Sequence, residues 1–283
     1  MKSEVQLALL ARQWGATAVP FGLVNAQDWL ETPEAQKALS CLNQSAALRS
    51  VMLLSGPNGV GKSALVGRWM RSLDTRSFCP LCLTQATLSG TAILAALAGK
   101  LGKPASFQRR RNLQLIEEAL QEVQPRSVVV ILDEAQNYSQ PSLEEVRLLL
   151  GLNLPQQPAF ALVLIGDEYL LASLRLHNQR ALYSRLACQL SLAPWTPAQC
   201  AQYLNAGLSA VGLSGAVLEA AAVELLASAS AGLPRSLCLL ARAAWIAAAT
   251  ANTQKIAPAH VQAALEQVPC VPGLIPSTAT AQS

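Results

Sequence analysis

Eight consecutive residues, Gly56-Pro57-Asn58-Gly59-Val60-Gly61-Lys62-Ser63, are spaced to hold a chain of phosphates. Glycines at 56, 59 and 61 let the backbone curl so that its N–H groups face an anion. A helix opening at Lys62 adds the partial positive charge of its N-terminus. The Lys62 ammonium can reach the terminal phosphates, and the Ser63 hydroxyl can ligate Mg²⁺. Asp133 and Glu134 supply the complementary chemistry. Asp133 is placed to hold Mg²⁺, directly or through water, and Glu134 to accept a proton from, or orient, the attacking water. Asp167 closes a second apolar run, where it can sense the γ-phosphate or cap the next helix. Arg180 and Arg185 precede a final strand. From there a guanidinium can project into a neighbouring subunit's nucleotide, Arg185 being the first choice, or simply stay solvated. Arg235 lies on the first turn of a helix opened by Gly232-Leu233-Pro234. A cation there opposes the helix dipole, and a bound triphosphate would compensate it.

These side chains need strands that end where ligands bind. The runs Val51–Leu54, Val128–Leu132 and Ala161–Ile165 are continuously apolar, as strands covered on both faces must be. Strands are expected at 51–55, 78–84, 127–132, 160–166 and 187–192. Helices are expected at 62–73, 91–101, 108–122, 142–150 and 168–174, with a short one at 178–185. Strand–helix alternation gives an α/β fold with a parallel sheet and helices on both faces. A carboxylate at the carboxyl end of such a strand faces the binding crevice.

Past Pro194-Trp195-Thr196-Pro197 the strands stop. Helices follow at about 197–211, 216–230, 234–250 and 258–268. The chain therefore reads as a helical extension with a linker (1–50), an α/β core (51–193), a small all-helical lid (194–268) and a Pro/Ser/Thr/Ala-rich tail (269–283). In the extension a helix begins near Thr32-Pro33 and runs to about Ala47.

Of the 283 residues, 52% are hydrophobic and only 13% charged. So little charge leaves little to keep subunits apart, and self-association is expected. No apolar run reaches the roughly 18–20 residues of a membrane span, and Arg242 interrupts the nearest candidate, Leu237–Ala251. The first residues lack a signal-peptide layout. The reading is a cytoplasmic protein with no membrane partner. The seven cysteines are scattered, and Cys79-Pro80-Leu81-Cys82 has neither a second pair nor nearby histidines. It reads as a strand segment rather than a metal site.

In this order the motifs resemble those of the AAA+ ATPases: Walker A at 56–63, Walker B at 128–134, sensor 1 at Asp167, an arginine finger at Arg185 and sensor 2 at Arg235. The similarity is greatest to the branch holding the ExeA-type secretion ATPases and the TniB, TnsC and MuB transposition helpers. Asp133-Glu134-Ala135-Gln136-Asn137, Glu144-Glu145-Val146-Arg147-Leu148-Leu149, the hydrophobic-Gly-x-x-x-Leu stretch at 165–170 and Gly232-Leu233-Pro234-Arg235 carry it. Val19-Pro20-Phe21 resembles the linker laid against the adenine. Asp167 departs from the Gln of many secretion-type relatives. The resemblance implies ATP and Mg²⁺ as cofactors, hydrolysis to ADP and phosphate, and a homo-oligomeric ring or helical filament. Its first functional reading is a regulator of DNA transposition that assembles on duplex DNA and recruits a transposase or integrase. Lys100, Lys103, Arg109, Arg110 and Arg111 are the residues that would neutralise phosphates without reading bases. The alternative is an ExeA-type ATPase for secretion or cell-envelope assembly. A nucleotide-controlled switch is the third reading.

Overall fold

The computed structural model describes residues 2–22, 30–84, 89–152, 157–176 and 180–268. The expected tail at 269–283 and residues 178–179 of the expected short helix lie outside them. The chain forms two units: Pro33–Asn58 with Lys62–Leu192, and Met1–Thr32 with Gly59–Gly61 and Ala193–Ser283.

The first unit is built on five strands, β1 (Val51–Ser55), β2 (Phe78–Leu83), β3 (Ser127–Leu132), β4 (Ala161–Ile165) and β5 (Leu186–Ser191). They pair in the order β2-β3-β4-β1-β5, every pair parallel. Seven of this unit's helices follow the chain as α2 (Pro33–Ala47), α3 (Lys62–Ser72), α4 (Gly90–Lys100), α5 (Arg109–Glu122), α6 (Gln140–Leu150), α7 (Leu170–Arg175) and α8 (Arg180–Tyr183), after α1 (Lys2–Gln13) of the other unit. Val51, Leu53, Val128, Val130, Leu132, Leu162 and Leu164 enter one core with α4–α6. Met52, Leu54, Val129, Ile131, Val163 and Ile165 face the other way and are equally buried, and α2 packs against β1 and β4. Period-two alternation sends successive side chains to opposite faces, so a strand covered on both must be apolar throughout.

Two helix starts differ from those expected. Ser139 accepts from the Ser142 N–H and Pro141 occupies the first turn, so α6 begins at Gln140 rather than 142. The Asp167 carboxylate holds the Tyr169 and Leu170 N–H groups at 3.0 Å each, and α7 begins at Leu170 rather than 168.

The second unit holds α1 and α9 (Pro197–Ala210), α10 (Ala220–Ala229), α11 (Pro234–Thr250) and α12 (Pro258–Gln267). Its core joins Trp14 and Phe21 to Leu204, Leu226, Leu237, Trp245 and Val261. The helix expected over 216–230 is shorter. Gly215–Val217 is a 3₁₀ turn, and Leu218 bridges Ile256 in parallel. Glu219 N–H bonds to the Ile256 carbonyl and Ile256 N–H to Val217, at 3.1 and 2.7 Å. Those backbone groups are spent on a long-range pair, so the helix starts only at Ala220. Thr196 and Gln199 form a reciprocal capping box at the start of α9.

Gly232 has φ +70°, and a Cβ there would stand 2.2 Å from the Trp195 carbonyl oxygen. Gly212 has φ +81° but open space around it. Gly212→Ala should therefore cost only the left-handed backbone term, about 1–2 kcal/mol. Gly232→Ala adds a backbone clash and should cost at least about 2 kcal/mol more. Urea unfolding of the two variants, followed by circular dichroism, checks the order; equal losses would refute it.

Candidate nucleotide site

Strand β1 delivers the chain into the glycine-rich turn, and its register determines where. Leu54 pairs with Ile165, and the Gly166 N–H donates to the Leu54 carbonyl at 3.1 Å. Leu164 in turn pairs with Leu132. The carboxyl ends of β1, β4 and β3 are therefore level, and Gly56, Gly166 and Asp133 emerge at one end of the sheet.

Gly56, Gly59 and Gly61 take φ values of +147°, +88° and +101°, conformations that side chains oppose. Lys62 is only 6% exposed. Its ammonium donates to the Gly56 carbonyl at 2.7 Å and to the Pro57 carbonyl at 3.1 Å. A buried charge needs such partners, and the turn's carbonyls keep it facing the loop. Ser63 and Asn58 are exposed and Val60 is buried. In the helical unit, which includes Gly59–Gly61, the Arg235 N–H donates to the Gly59 carbonyl at 3.2 Å. A Cβ on Gly59 would meet the Arg235 Cβ at 3.3 Å.

At the end of β3, Asp133 continues the strand by donating its N–H to the Leu83 carbonyl at 3.0 Å. Its Oδ1 accepts from the Glu134 N–H, also at 3.0 Å. Glu134 has φ +52°, a left-handed conformation that turns the chain sharply. Two residues on, Gln136 Nε2 donates to Glu134 Oε2 at 2.6 Å. Its Oε1 accepts from the Asp167 N–H at 3.3 Å. Nothing in the local sequence pattern assigns Gln136 a role. Periodicity has no rule for an i,i+2 contact across a tight turn.

Asp167 lies at the end of β4 with one carboxylate oxygen engaged by the first N–H groups of α7. Of the two roles offered, the capping geometry is present. Arg185 is half-buried and donates from Nη1 to the Arg147 carbonyl at 3.0 Å, whereas Arg180 is exposed at the start of α8. Phe21 is 2% exposed, with its ring against Gly207 in the helical core.

The C-x-x-C motif lies in β2, as expected of a strand segment. Residues three apart on a strand point to opposite faces. Burial, with the nearby Asp133 charge, pushes the Cys82 thiol above its ordinary pKa, which keeps it protonated. Among the described residues no group of three or more His, Cys, Asp or Glu could hold a metal ion. Tyr138, also buried beside Cys82 and Asp133, donates to the Leu83 carbonyl and is pushed up to about 12.

The five basic residues are not equivalent. Lys103 pairs with Glu122 at 2.6 Å. Arg109 forms a two-pronged bond with Glu145, at 2.7 and 2.8 Å. Lys100, Arg110 and Arg111 are exposed. Beside them Phe107 is fully exposed. Asn112, buried on α5, holds both the N–H and the carbonyl of Ser106, at 2.9 and 2.8 Å. That clamp fixes the loop whose next residue is Phe107. No periodic pattern marks either residue.

Comparison with known proteins agrees with this architecture. Residues 46–174 match the family model described as an AAA domain. General secretion pathway protein A of Aeromonas hydrophila is 26% identical over 223 residues, covering 77% of this chain and 40% of that protein. The chain thus spans about two fifths of that relative's length. The Orc1 protein of Aeropyrum pernix, solved in complex with DNA, has a similar fold. The TM-score is 0.68 at 19% identity, covering 85% of this chain and 66% of that one. The Holliday junction branch migration motor RuvB of Thermotoga maritima follows at TM-score 0.56 and 18% identity, covering 84% and 70%. Among the described residues no helix is long and apolar enough to cross a membrane.

Lys62→Ala removes the one ammonium held inside the loop by two carbonyls. Charge-assisted bonds contribute about 1.5–3 kcal/mol each, so ATP affinity should fall roughly 10- to 100-fold or more. Titration with a fluorescent ATP analogue measures it, and unchanged affinity would contradict the assignment. Residues 46–174 thus match the model described as an AAA domain, and within them Lys62 and Asp133 lie at the same end of a parallel sheet.

Proposed function

We propose that this chain is an AAA+ ATPase that hydrolyses ATP to ADP and phosphate at the carboxyl end of its sheet. The observation that carries it is the level ending of β1 and β3. One delivers a glycine turn closed over a buried lysine, the other two adjacent carboxylates. Gly56–Ser63 would wrap the phosphates with backbone N–H groups and the Lys62 ammonium. The Ser63 hydroxyl and Asp133 carboxylate are hard oxygen donors, which suit Mg²⁺. Among the described residues no group of three or more His, Cys, Asp or Glu is gathered to hold a metal, and the ion would complete its shell from phosphates and water. When bound, it neutralises charge that builds on the phosphoryl oxygens.

Glu134 takes the proton of the attacking water as the new P–O bond forms. The bond from the γ-phosphorus to the β,γ-bridging oxygen breaks, and that oxygen leaves on ADP. Arg235, whose backbone is tied to Gly59, would report the nucleotide to the helical unit. Asp167 would act from the end of β4, holding α7 as it does so. Val19-Pro20-Phe21 would border the adenine through backbone and outer surfaces, since the Phe21 ring is buried. Arg185 of an adjacent subunit would complete the site in a homo-oligomer, giving up its bond to the Arg147 carbonyl.

For the process that hydrolysis drives, the order of readings changes. The match to general secretion pathway protein A over 77% of this chain favours an ExeA-type role in secretion or cell-envelope assembly. That match covers 40% of that protein and is silent on the rest of it. The second reading is a transposition regulator that assembles on duplex DNA and recruits a transposase or integrase. What favours it is a set of exposed residues: Lys100, Arg110 and Arg111, with the exposed ring of Phe107 three positions before Arg110 in the chain. Arginines with no acidic partner among the described residues fit a polyanion, and an exposed ring can stack on a base. The fold's likeness to a protein solved with DNA is consistent with that second reading.

Glu134→Gln should retain ATP binding and slow phosphate release about 10²- to 10⁴-fold; wild-type turnover would remove Glu134 from its role. Duplex DNA separates the two processes. Under the second reading it stimulates hydrolysis and, with ATP, gives rings or filaments in negative stain. The double variant Arg110→Ala/Arg111→Ala then lowers the slope of log affinity against log salt by roughly 2. Absence of both stimulation and assembly leaves the secretion reading.

A further inference from the structure

We infer that Gln136 is the positioning residue for Glu134, holding one carboxylate oxygen so that the other is presented to water. This rests on the ATPase reading and adds a residue to it.

Glutamate side chains have several rotatable bonds, and a general base must present one oxygen in one direction. Glu134 sits in a left-handed turn, and the main chain alone does not fix its carboxylate. Gln136 does, through the 2.6 Å bond from Nε2 to Oε2. The other end of the same amide accepts from the Asp167 N–H. The chemistry of the two partners sets the amide's orientation. A carboxylate only accepts and a backbone N–H only donates, so one orientation alone satisfies both. Neither Glu nor Leu could replace it. A carboxylate at 136 would repel Glu134, and an apolar side chain would bond to neither partner.

The rest of the site makes room for this bridge. A Cβ on Gly166 would stand 2.7 Å from Gln136 Oε1 and 2.5 Å from Leu170 Cδ2. Gly166 therefore lacks a side chain because the Gln136 amide and Leu170 occupy that space. Its φ is ordinary, so packing explains this glycine and backbone freedom does not. The amide joins the end of β3 to the end of β4. A shift at Asp167 is thereby transmitted to the carboxylate that takes water's proton.

Four variants test this by steady-state phosphate release and binding of a fluorescent ATP analogue: Gln136→Leu, Gln136→Glu, Gly166→Ala and Glu134→Gln. The first three should keep nucleotide affinity within about 2-fold and leave KM in place. Their kcat should fall about 10- to 100-fold, the scale of a misplaced catalytic group. Gln136→Glu is nearly isosteric and guards against loss of fold in the leucine variant. The deciding measurement is a double-mutant cycle. If Gln136 acts through Glu134, Gln136→Leu should cost nothing further once Glu134 is Gln. A kcat loss of equal size in both backgrounds would mean a merely structural role and overturn the inference, as would wild-type kcat in Gln136→Leu and Gln136→Glu. Failure of the underlying reading looks different: the wild-type chain would release no phosphate and Glu134→Gln would change nothing.

Discussion

Parallel pairing of β1 with β4, and of β4 with β3, brings three distant segments into one site. In a parallel sheet every strand points the same way, so strands in matching register end together. Leu54 opposite Ile165 and Leu164 opposite Leu132 make that alignment. It is stabilised by burial on both faces, where Val129, Ile131, Leu162, Val163 and Leu164 have no measurable exposure. A slip of one residue would reverse which face each side chain occupies. In strands apolar on both faces, the packed helices and side-chain shapes must hold the register against it.

Past the strand ends, backbone conformation takes over from hydrophobic burial. Gly56, Gly59 and Gly61 adopt positive φ so that the turn can close on Lys62, whose charge is stabilised by two carbonyls. Glu134 is not a glycine and still takes φ +52°, at a cost of order 1 kcal/mol. The turn brings Gln136 back within reach of the carboxylate. Strain in the backbone and order in the side chain thus occur at the same residue. The helical unit shows related economy at Gly232, where the Trp195 backbone leaves no room for a Cβ.

The site was legible in unequal parts. Lys62, Ser63, Asp133 and Glu134 could be read because their neighbours in sequence are also their neighbours in function. A motif within one turn carries its own geometry. Arg110 and Arg111 looked identical to Lys103 and Arg109 along the chain, yet Glu122 and Glu145 take the latter two into ion pairs. Those partners lie 19 and 36 residues away, and no local pattern announces them. The same holds for Phe107, presented by a loop that a buried Asn112 clamps from the next helix. The shortened helix α10 is a further case. Its first residues have helical propensity, but Leu218 and Glu219 are drawn into a bridge with Ile256.

Composition and order along the chain determined the α/β alternation, the switch to helices near residue 193, the phosphate-binding turn and the acidic pair. These follow from short-range rules: glycine's tolerance of positive φ, the period of buried strands and the capping habits of Thr and Pro. Tertiary structure decided the sheet order, which of the cations stay exposed, that the Asp167 carboxylate caps α7, and that Gln136 and Gly166 share one pocket of space with Leu170. The physical reason is range. A turn or cap is closed by residues within three or four positions, whereas an ion pair or an amide bridge depends on what another segment brings to it.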